Sequence, residues 1–313
     1  MSWLLPVLVA APLLGAALTL VLGRRLVPQR IVTLSIVAGT AAGAVALLLN
    51  VDADGPVTAQ MGGWPAPLGI TLIADRFSAI VLAVSTLMLV AVLVYAMAQL
   101  GRDAIDWWFH TKYLTLTAGV TLSLLTGDLF NLFVGFEVML VSSYVLLTVR
   151  STQREIRSTM TYVVINLLAS ALFLVTIAFT YGISWTMNLA DLSLRLADVD
   201  PAAAQTLSML MLVVFGIKAA LLPLFLWLPD AYPTAPTPVT AIFAGLLTKV
   251  GVFVIIRTQT LLVPADEPSG LLLFIAGATM TVGVLGAIAQ NDVKRILSFH
   301  IVSQIGYMIM GLG

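Results

Sequence analysis

Apolar residues along this chain gather into long continuous runs, separated by short stretches that hold most of the charges, prolines and glycines. A helix rises 1.5 Å per residue, so roughly 20 such residues cross the hydrocarbon of a bilayer. On that ruler ten spans are predicted: 3–22, 31–49, 77–99, 113–126, 129–149, 159–183, 206–227, 239–257, 270–289 and 293–312. The fourth is short, but 113–149 as one helix would be about 55 Å long, nearly twice the hydrocarbon thickness. Gly127-Asp128 is therefore predicted to be a turn. The longer connections 50–75 and 184–205, with Gly, Pro, Asp and Trp, read as ordered caps. Gly39 and Gly43 form a G-x-x-x-G in the second span, a spacing that a glycine-rich chain reaches by chance more often than by function.

Composition sharpens this to a class. Hydrophobic residues make up 60% and charged residues 10% of the chain, against about 25% charged in soluble domains. The fold class is thus an all-α polytopic membrane protein in a single membrane domain. There are no cysteines, which excludes disulfides and thiolate-held iron–sulfur clusters; no cofactor or metal is expected. Equal numbers of cations and anions, 15 each, give no basic field for nucleic acid. The first run starts at Trp3 with no preceding Lys or Arg and reads as a retained span.

With the N-terminus outside, the inner loops collect Arg24, Arg25, Arg30, Arg102, Lys112, Arg150, Arg154, Arg157, Lys294 and Arg295, and the outer loops hold Arg76, Arg195 and Arg257. Cations favour the inner side of a membrane, so this asymmetry supports the orientation and the ten spans together.

Three charges do not fit a plain span. Glu137, Lys218 and Lys249 each lie roughly 8 to 12 residues from the ends of their segments, about 12 to 18 Å deep. An ammonium at mid-bilayer costs roughly 2.5 to 3.5 kcal/mol on insertion scales. Such groups pair, line water or change protonation state. If Glu137 pairs with Lys218, Lys249 is left to hold or lose a proton. The rival reading is structural: a Glu–Lys pair locks two helices, and Lys249 reaches a backbone carbonyl. His300, seven residues into the last span, stands evenly between a pathway and a packed interface.

Five prolines, Pro223, Pro229, Pro233, Pro236 and Pro238, follow Lys218. A break at Pro223 would leave carbonyls unpaired, which is tolerated at membrane depth only inside protein or beside a wet cavity. Broken helices of this kind mark ion sites in transporters. Asp230 in this stretch could admit protons at the inner surface or cap the next helix. Asn131, Ser142, Ser143, Tyr144, Tyr162 and Asn166 could hold a water file or hydrogen-bond between helices.

The runs LTGDLFNLFVGFEVMLVSSYVLL (125–147), FGIKAALLPLFLWLPDAYPTAPTPVTAIFAGLLTKVGVF (215–253) and NDVKRILSFHIVSQIGYMIMGLG (291–313) resemble the antiporter-like subunits. That family is shared by the membrane arm of respiratory NADH:quinone oxidoreductase, membrane-bound hydrogenases and the multisubunit Mrp (Mnh) cation/proton antiporters. WPAPLGITLIADRFSA (64–79) and SFHIVSQIGYM are most similar to the D-type Mrp subunits.

The resemblance implies two inverted five-helix repeats, each with a broken helix, and protons moving along a polar axis at mid-membrane. It divides the chain into N-terminal helices (1–112), a complete first repeat with a broken seventh helix (113–257) and the start of a second (258–313). It assigns Glu137, Lys218, Lys249 and His300 to the proton pathway, with Pro223 and Pro229 at the break. The function it implies is proton translocation within a multisubunit antiporter of the cell membrane, exchanging protons for a monovalent cation, sodium first, beside other subunits. The alternatives are a proton-pumping subunit of a quinone oxidoreductase or hydrogenase, or a polytopic scaffold or enzyme without transport. Family members have about fourteen helices, so a chain of ten reads as a fragment.

Overall fold

The computed structural model describes residues 1–99, 106–148, 153–262 and 270–313, without the side chains of Arg154 and Glu155. Of the cations counted above, Arg102 and Arg150 lie outside the described residues, as does the side chain of Arg154. The chain divides into two compact units, Met1–Val149 and Arg150–Gly313.

Among the described residues of the first unit five helices follow one another: α1 (Leu4–Leu22), α2 (Leu26–Asp54), α3 (Arg76–Ala98), α4 (Phe109–Leu125) and α5 (Leu129–Leu147). The connection from α2 to α3 is an ordered cap, as its composition predicts, and it contains a feature the hydrophobic pattern does not announce. Strands β1 (Val57–Gln60) and β2 (Thr71–Ala74) pair antiparallel, Val57 opposite Ala74 and Gln60 opposite Thr71. Asp75 ends the hairpin and starts α3 by a capping box: its carboxylate accepts the Ser78 N–H at 2.8 Å, and the Ser78 hydroxyl accepts the Asp75 N–H at 3.0 Å. The turn at Gly127-Asp128 rests on this hairpin. The Gly127 N–H donates to the Thr71 carbonyl at 2.9 Å, and Asp128 caps α5 through the Asn131 N–H at 2.8 Å.

Helices α4 and α5 then run back along each other at very short range: a methyl group on Gly119 would sit 2.6 Å from the Met139 nitrogen. The G-x-x-x-G of α2 does not form such a seam. Gly43 lies against Leu8, where a methyl would come to 2.8 Å, but nothing approaches Gly39 within 4 Å.

The second unit holds α6 (Gln153–Ser184), α7 (Leu189–Arg195), α8 (Pro201–Ala219), the single turn α9 (Leu228–Ala231), α10 (Thr237–Leu262), α11 (Gly270–Ile288) and α12 (Val293–Met310). The 184–205 connection is again an ordered cap. Asn188 accepts the N–H groups of Ala190 and Asp191 at 3.1 and 3.2 Å, and Arg195 pairs with Asp191 at 2.9 Å. The Thr186 hydroxyl and Arg195 hold the Asp191 carboxyl below its ordinary range.

Each of the ten predicted spans coincides with a helix. Among the described residues eight of these are long and apolar enough to cross a membrane by length and composition, whereas α4, at 17 residues, is shorter and α12, at 18 residues, is less apolar. The seventh differs from its prediction in extent: 206–227 is not one helix, because α8 ends at Ala219. Its end is also where the candidate chemistry lies.

Candidate functional site

Helix α8 begins with Asp200 accepting the Ala203 N–H at 3.1 Å and Pro201 in the first turn, where the absent proline N–H costs nothing. It stops because Pro223 has no N–H to give and disfavours helical geometry at Leu222 before it. Ala220 takes up the reversal in a left-handed conformation, φ 61° and ψ 49°. That is unusual for a residue with a Cβ, and such outliers persist only where surrounding contacts fix them.

The contacts are these. The Leu221 N–H donates to the Gly216 carbonyl at 2.9 Å, and the Trp227 indole N–H donates to the Ile217 carbonyl at 3.1 Å. The Leu222 N–H reaches the Thr279 hydroxyl of α11 at 3.2 Å, and that hydroxyl donates onward to Ile275 at 2.6 Å. The break therefore does not leave those carbonyls open, as the proline pattern suggested. Protein groups satisfy them. Thr279→Val, close in volume, would leave the Leu222 N–H without its acceptor. It is expected to cost about 1 to 3 kcal/mol, read as a lower thermal midpoint of the purified protein.

Lys218 is the penultimate residue of α8. It does not sit at mid-helix, as the uninterrupted pattern implied, and the early stop at Ala219 is the reason. A cation in the last turn is favoured by the helix dipole and the terminal carbonyls. Only 4% of Lys218 is exposed. Its ammonium donates to Ser170 Oγ at 3.0 Å and to the Asn166 carbonyl at 3.3 Å, both on α6. Around the break Tyr162, Trp227, Tyr232 and Phe243 pack ring to ring, with centroids 5.2 Å apart for Tyr162–Trp227 and 5.6 Å for Tyr232–Phe243. All four are buried.

Helix α10 reaches this end through Gly251, where a methyl would come to 2.8 Å of the Ala219 nitrogen and 3.0 Å of the Lys218 carbonyl carbon. Two residues earlier on the same helix stands Lys249, half-buried. Phe243–Leu247 form a π-helical segment, a geometry frequent at functional positions. The Lys249 ammonium folds back onto the Ala244 carbonyl of that segment at 2.7 Å. Lys249 thus reaches a backbone carbonyl, as the structural reading expects, although the π segment and not a proline offers it. Beside it Thr248 is fully buried, and among the described residues its hydroxyl has no partner.

Glu137 is half-buried near the middle of α5, in the first unit. His300 lies on an exposed face of α12, its Nε2 3.3 Å from the Gln304 amide nitrogen; among the described residues no hydrogen bond joins it to Lys249. Asp230, 59% exposed at its side chain, pairs with Arg295 at 3.2 Å, and the next helix, which follows Pro236, has no side-chain cap from Asp230 or any other described residue. Of the polar residues read as a water file, Ser142 bonds to Val138 and the Asn166 amide to Tyr162, both within their own helices, and Asn131 reaches Thr126 in the preceding turn. The carbonyl of Asn166, not its side chain, meets Lys218.

Ser170, Thr279, Trp227 and Gly251 were not singled out from the sequence. Ser170, one turn beyond Asn166, carried a weak signal; Thr279 is a lone hydroxyl in an apolar helix and carried none.

Fold and site together define a multi-span helical membrane protein with an interrupted helix ending on a buried lysine. The chain belongs to the family described as NADH:quinone oxidoreductase/Mrp antiporter, transmembrane, whose model matches residues 126–313. It is 40% identical over 313 residues to the D-type subunit of the Na(+)/H(+) antiporter of Alkalihalophilus pseudofirmus, covering 99% of this chain and 63% of that protein. Against the corresponding D-type Na(+)/H(+) antiporter subunit of Bacillus subtilis the identity is 33%, with the same coverage of 99% and 63%. The chain thus spans 63% of the length of these relatives. Among solved structures, a chain in the Mrp complex of Dietzia sp. DQ12-45-1b superposes with a TM-score of 0.94 at 35% identity, over 100% of this chain and 59% of that one. A chain of the membrane-bound sulfane sulfur reductase, an archaeal respiratory membrane complex, superposes with a TM-score of 0.91 at 29% identity, over 98% and 64%.

Proposed function

We propose that this chain is the proton-translocating part of a subunit in a multisubunit monovalent cation/proton antiporter, with sodium as the exchanged cation. Lys218 is the group that takes up and releases the proton. The observation that carries the reading is the ammonium of Lys218, removed from solvent at the end of an interrupted helix, with the Ser170 hydroxyl and the Asn166 carbonyl among its partners. Burial penalises the charged form of a lysine, while the helix terminus and both acceptors favour it. Movement of those acceptors is the step proposed to release the proton. The relatives, named as subunits of Na(+)/H(+) antiporters, supply the cation and the partner subunits.

Lys249 is assigned the next position on the route. Its helix touches the end of α8 through Gly251, and its only described bond is to a carbonyl of its own helix. Breaking that bond separates no helices. Glu137 is assigned to the same pathway on the sequence alone, as the acid whose charge tunes Lys218, and His300 as a continuation along α12. Pro223 and Pro229 set the interruption. The protein is placed in the bacterial inner membrane with its N-terminus outside, following the cation asymmetry.

In vesicles carrying the full-length subunit within its complex, Lys249→Met is expected to lower cation-dependent proton flux at least about tenfold, with the complex still assembled. Glu137→Ala is expected to do the same. Undiminished flux in both would overturn the assignment. A redox-driven pump subunit is the second reading, favoured by the superposition on the sulfane sulfur reductase chain. Flux that needs an electron donor and ignores sodium would select it.

A further inference from the structure

In the second unit a cavity of about 240 Å³ opens between the N-terminal turns of α6, the segment after the break and the start of α12. Its polar lining is Arg157, Ser158 and Thr161 from α6, Asp230 from α9 and Arg295 from α12, with Pro229 and Pro233 completing the wall. The residues assigned to proton movement lie elsewhere, except Asp230.

The charges do not cancel. Among the described residues two guanidinium groups face one carboxylate, which leaves a net positive charge. Arg295 gives one Nη2 bond to Asp230 at 3.2 Å, and its Nε–H has no acceptor among the described residues. Arg157 has no side-chain hydrogen bond or ion pair to any described residue. A guanidinium is a planar fork of donors suited to paired oxygens of a tetrahedral anion, and the Ser158 hydroxyl adds a short-range donor, while the Thr161 hydroxyl donates to the Arg157 carbonyl of its own helix at 3.3 Å. This donor set fits a phosphate.

Position selects the source of that phosphate. Arg157 is the second residue of the apolar window Ile156–Ser184, and Arg295 is the third residue of α12. Arg157 stands at the start of a helix long and apolar enough to cross a membrane, and Arg295 in the first turn of α12 beside it, which is where lipid headgroups would lie. Below Arg157, α6 presents a stripe of exposed apolar side chains at helical spacing: Met160, Val164 and Leu168. Acyl chains lie along such a face while their headgroup sits above it. Basic pockets between membrane helices bind anionic lipid headgroups in this way.

We propose that the Arg157–Arg295 cavity binds the phosphate of an anionic membrane phospholipid. The bound lipid ties three parts of the unit together: the start of α6, the proline-rich segment and the start of α12, which already holds that segment through Lys294 Nζ on the Ala235 carbonyl at 2.8 Å. Asp230 competes with the phosphate for Arg295.

The test uses the full-length subunit in its complex, delipidated in detergent and titrated with dioctanoyl phosphatidylglycerol, with the thermal midpoint as readout. A saturable rise is expected. The apparent Kd should increase about tenfold, equivalent to about 1.4 kcal/mol, in Arg157→Gln and in Arg295→Gln, and should fall in Asp230→Asn. Arg157 and Asp230 are exposed and Arg295 is half-buried, so the variants are expected to fold. Dioctanoyl phosphatidylcholine should bind at least about tenfold more weakly, because it adds no net charge. Equal affinity for the two lipids, or wild-type affinity in both arginine variants, would overturn the proposal. So would an equal midpoint rise with inorganic phosphate at the same concentrations, which would make this a free-phosphate site.

Discussion

Lys218→Ala in the full-length subunit is expected to lower sodium-dependent proton flux by about 100-fold, the lower end of what a positioned proton-transfer group contributes. Lys218→Arg is expected to fail equally, since a guanidinium does not release its proton in a protein and its planar fork does not match one hydroxyl and one carbonyl. Loss of flux by unfolding is distinguished with Lys218→Met. Two of the acceptors left behind, the Ser170 hydroxyl and the Asn166 carbonyl, are four residues apart on one helix. They can bond to each other as serine does to the carbonyl one turn back. The methionine variant should therefore still assemble and transport nothing. A transporting Lys218→Met would refute the assignment; a collapsed one would show the ammonium to be structural.

The second large effect is steric. Gly251→Val is expected to lower stability by at least about 1 to 3 kcal/mol, the usual cost of overpacking, and to abolish assembly of the second unit. The atoms that a Cβ would meet, Ala219 N at 2.8 Å and Lys218 C at 3.0 Å, are backbone and cannot rotate away. Gly251→Ala meets the same atoms with one carbon and should give a folded protein in which the end of α8 is displaced. Its flux should fall more than its thermal midpoint. The same pair at Gly39, which nothing approaches within 4 Å, serves as the control with little effect in either assay.

The spans were legible because hydrocarbon thickness imposes a length on every apolar run, and no tertiary contact competes with that constraint. The turn at Gly127-Asp128 followed from the same length, and the early stop of the seventh helix did not. Pro223 announced a break, but helical geometry failed three residues earlier, at Ala220, where a left-handed alanine gives no sign in the sequence. That displacement moved Lys218 from mid-helix to a helix end. The β-hairpin was hidden because four-residue strands against a membrane helix carry too short an alternation to stand out. Glu137, Lys218 and Lys249 were found because charge is costly in an apolar run. Ser170 and Thr279, which bond the ammonium and the broken backbone, were missed because neutral hydroxyls in membrane helices are common and usually bond to their own turn.

The π segment Phe243–Leu247 has a consequence for the rest of its helix. Relative to α-helical winding it accommodates one additional residue, and each residue of an α-helix advances about 100° around the axis. The residues before and after the segment are therefore out of phase by that angle, so Lys249 and Gly251 face a direction that a continuous helix drawn from Thr237 would not give them. Deleting a single residue inside the segment would restore regular backbone winding, with loss of the Lys249 bond to the Ala244 carbonyl. It would also rotate both residues away from the end of α8 and silence the lysine without altering it.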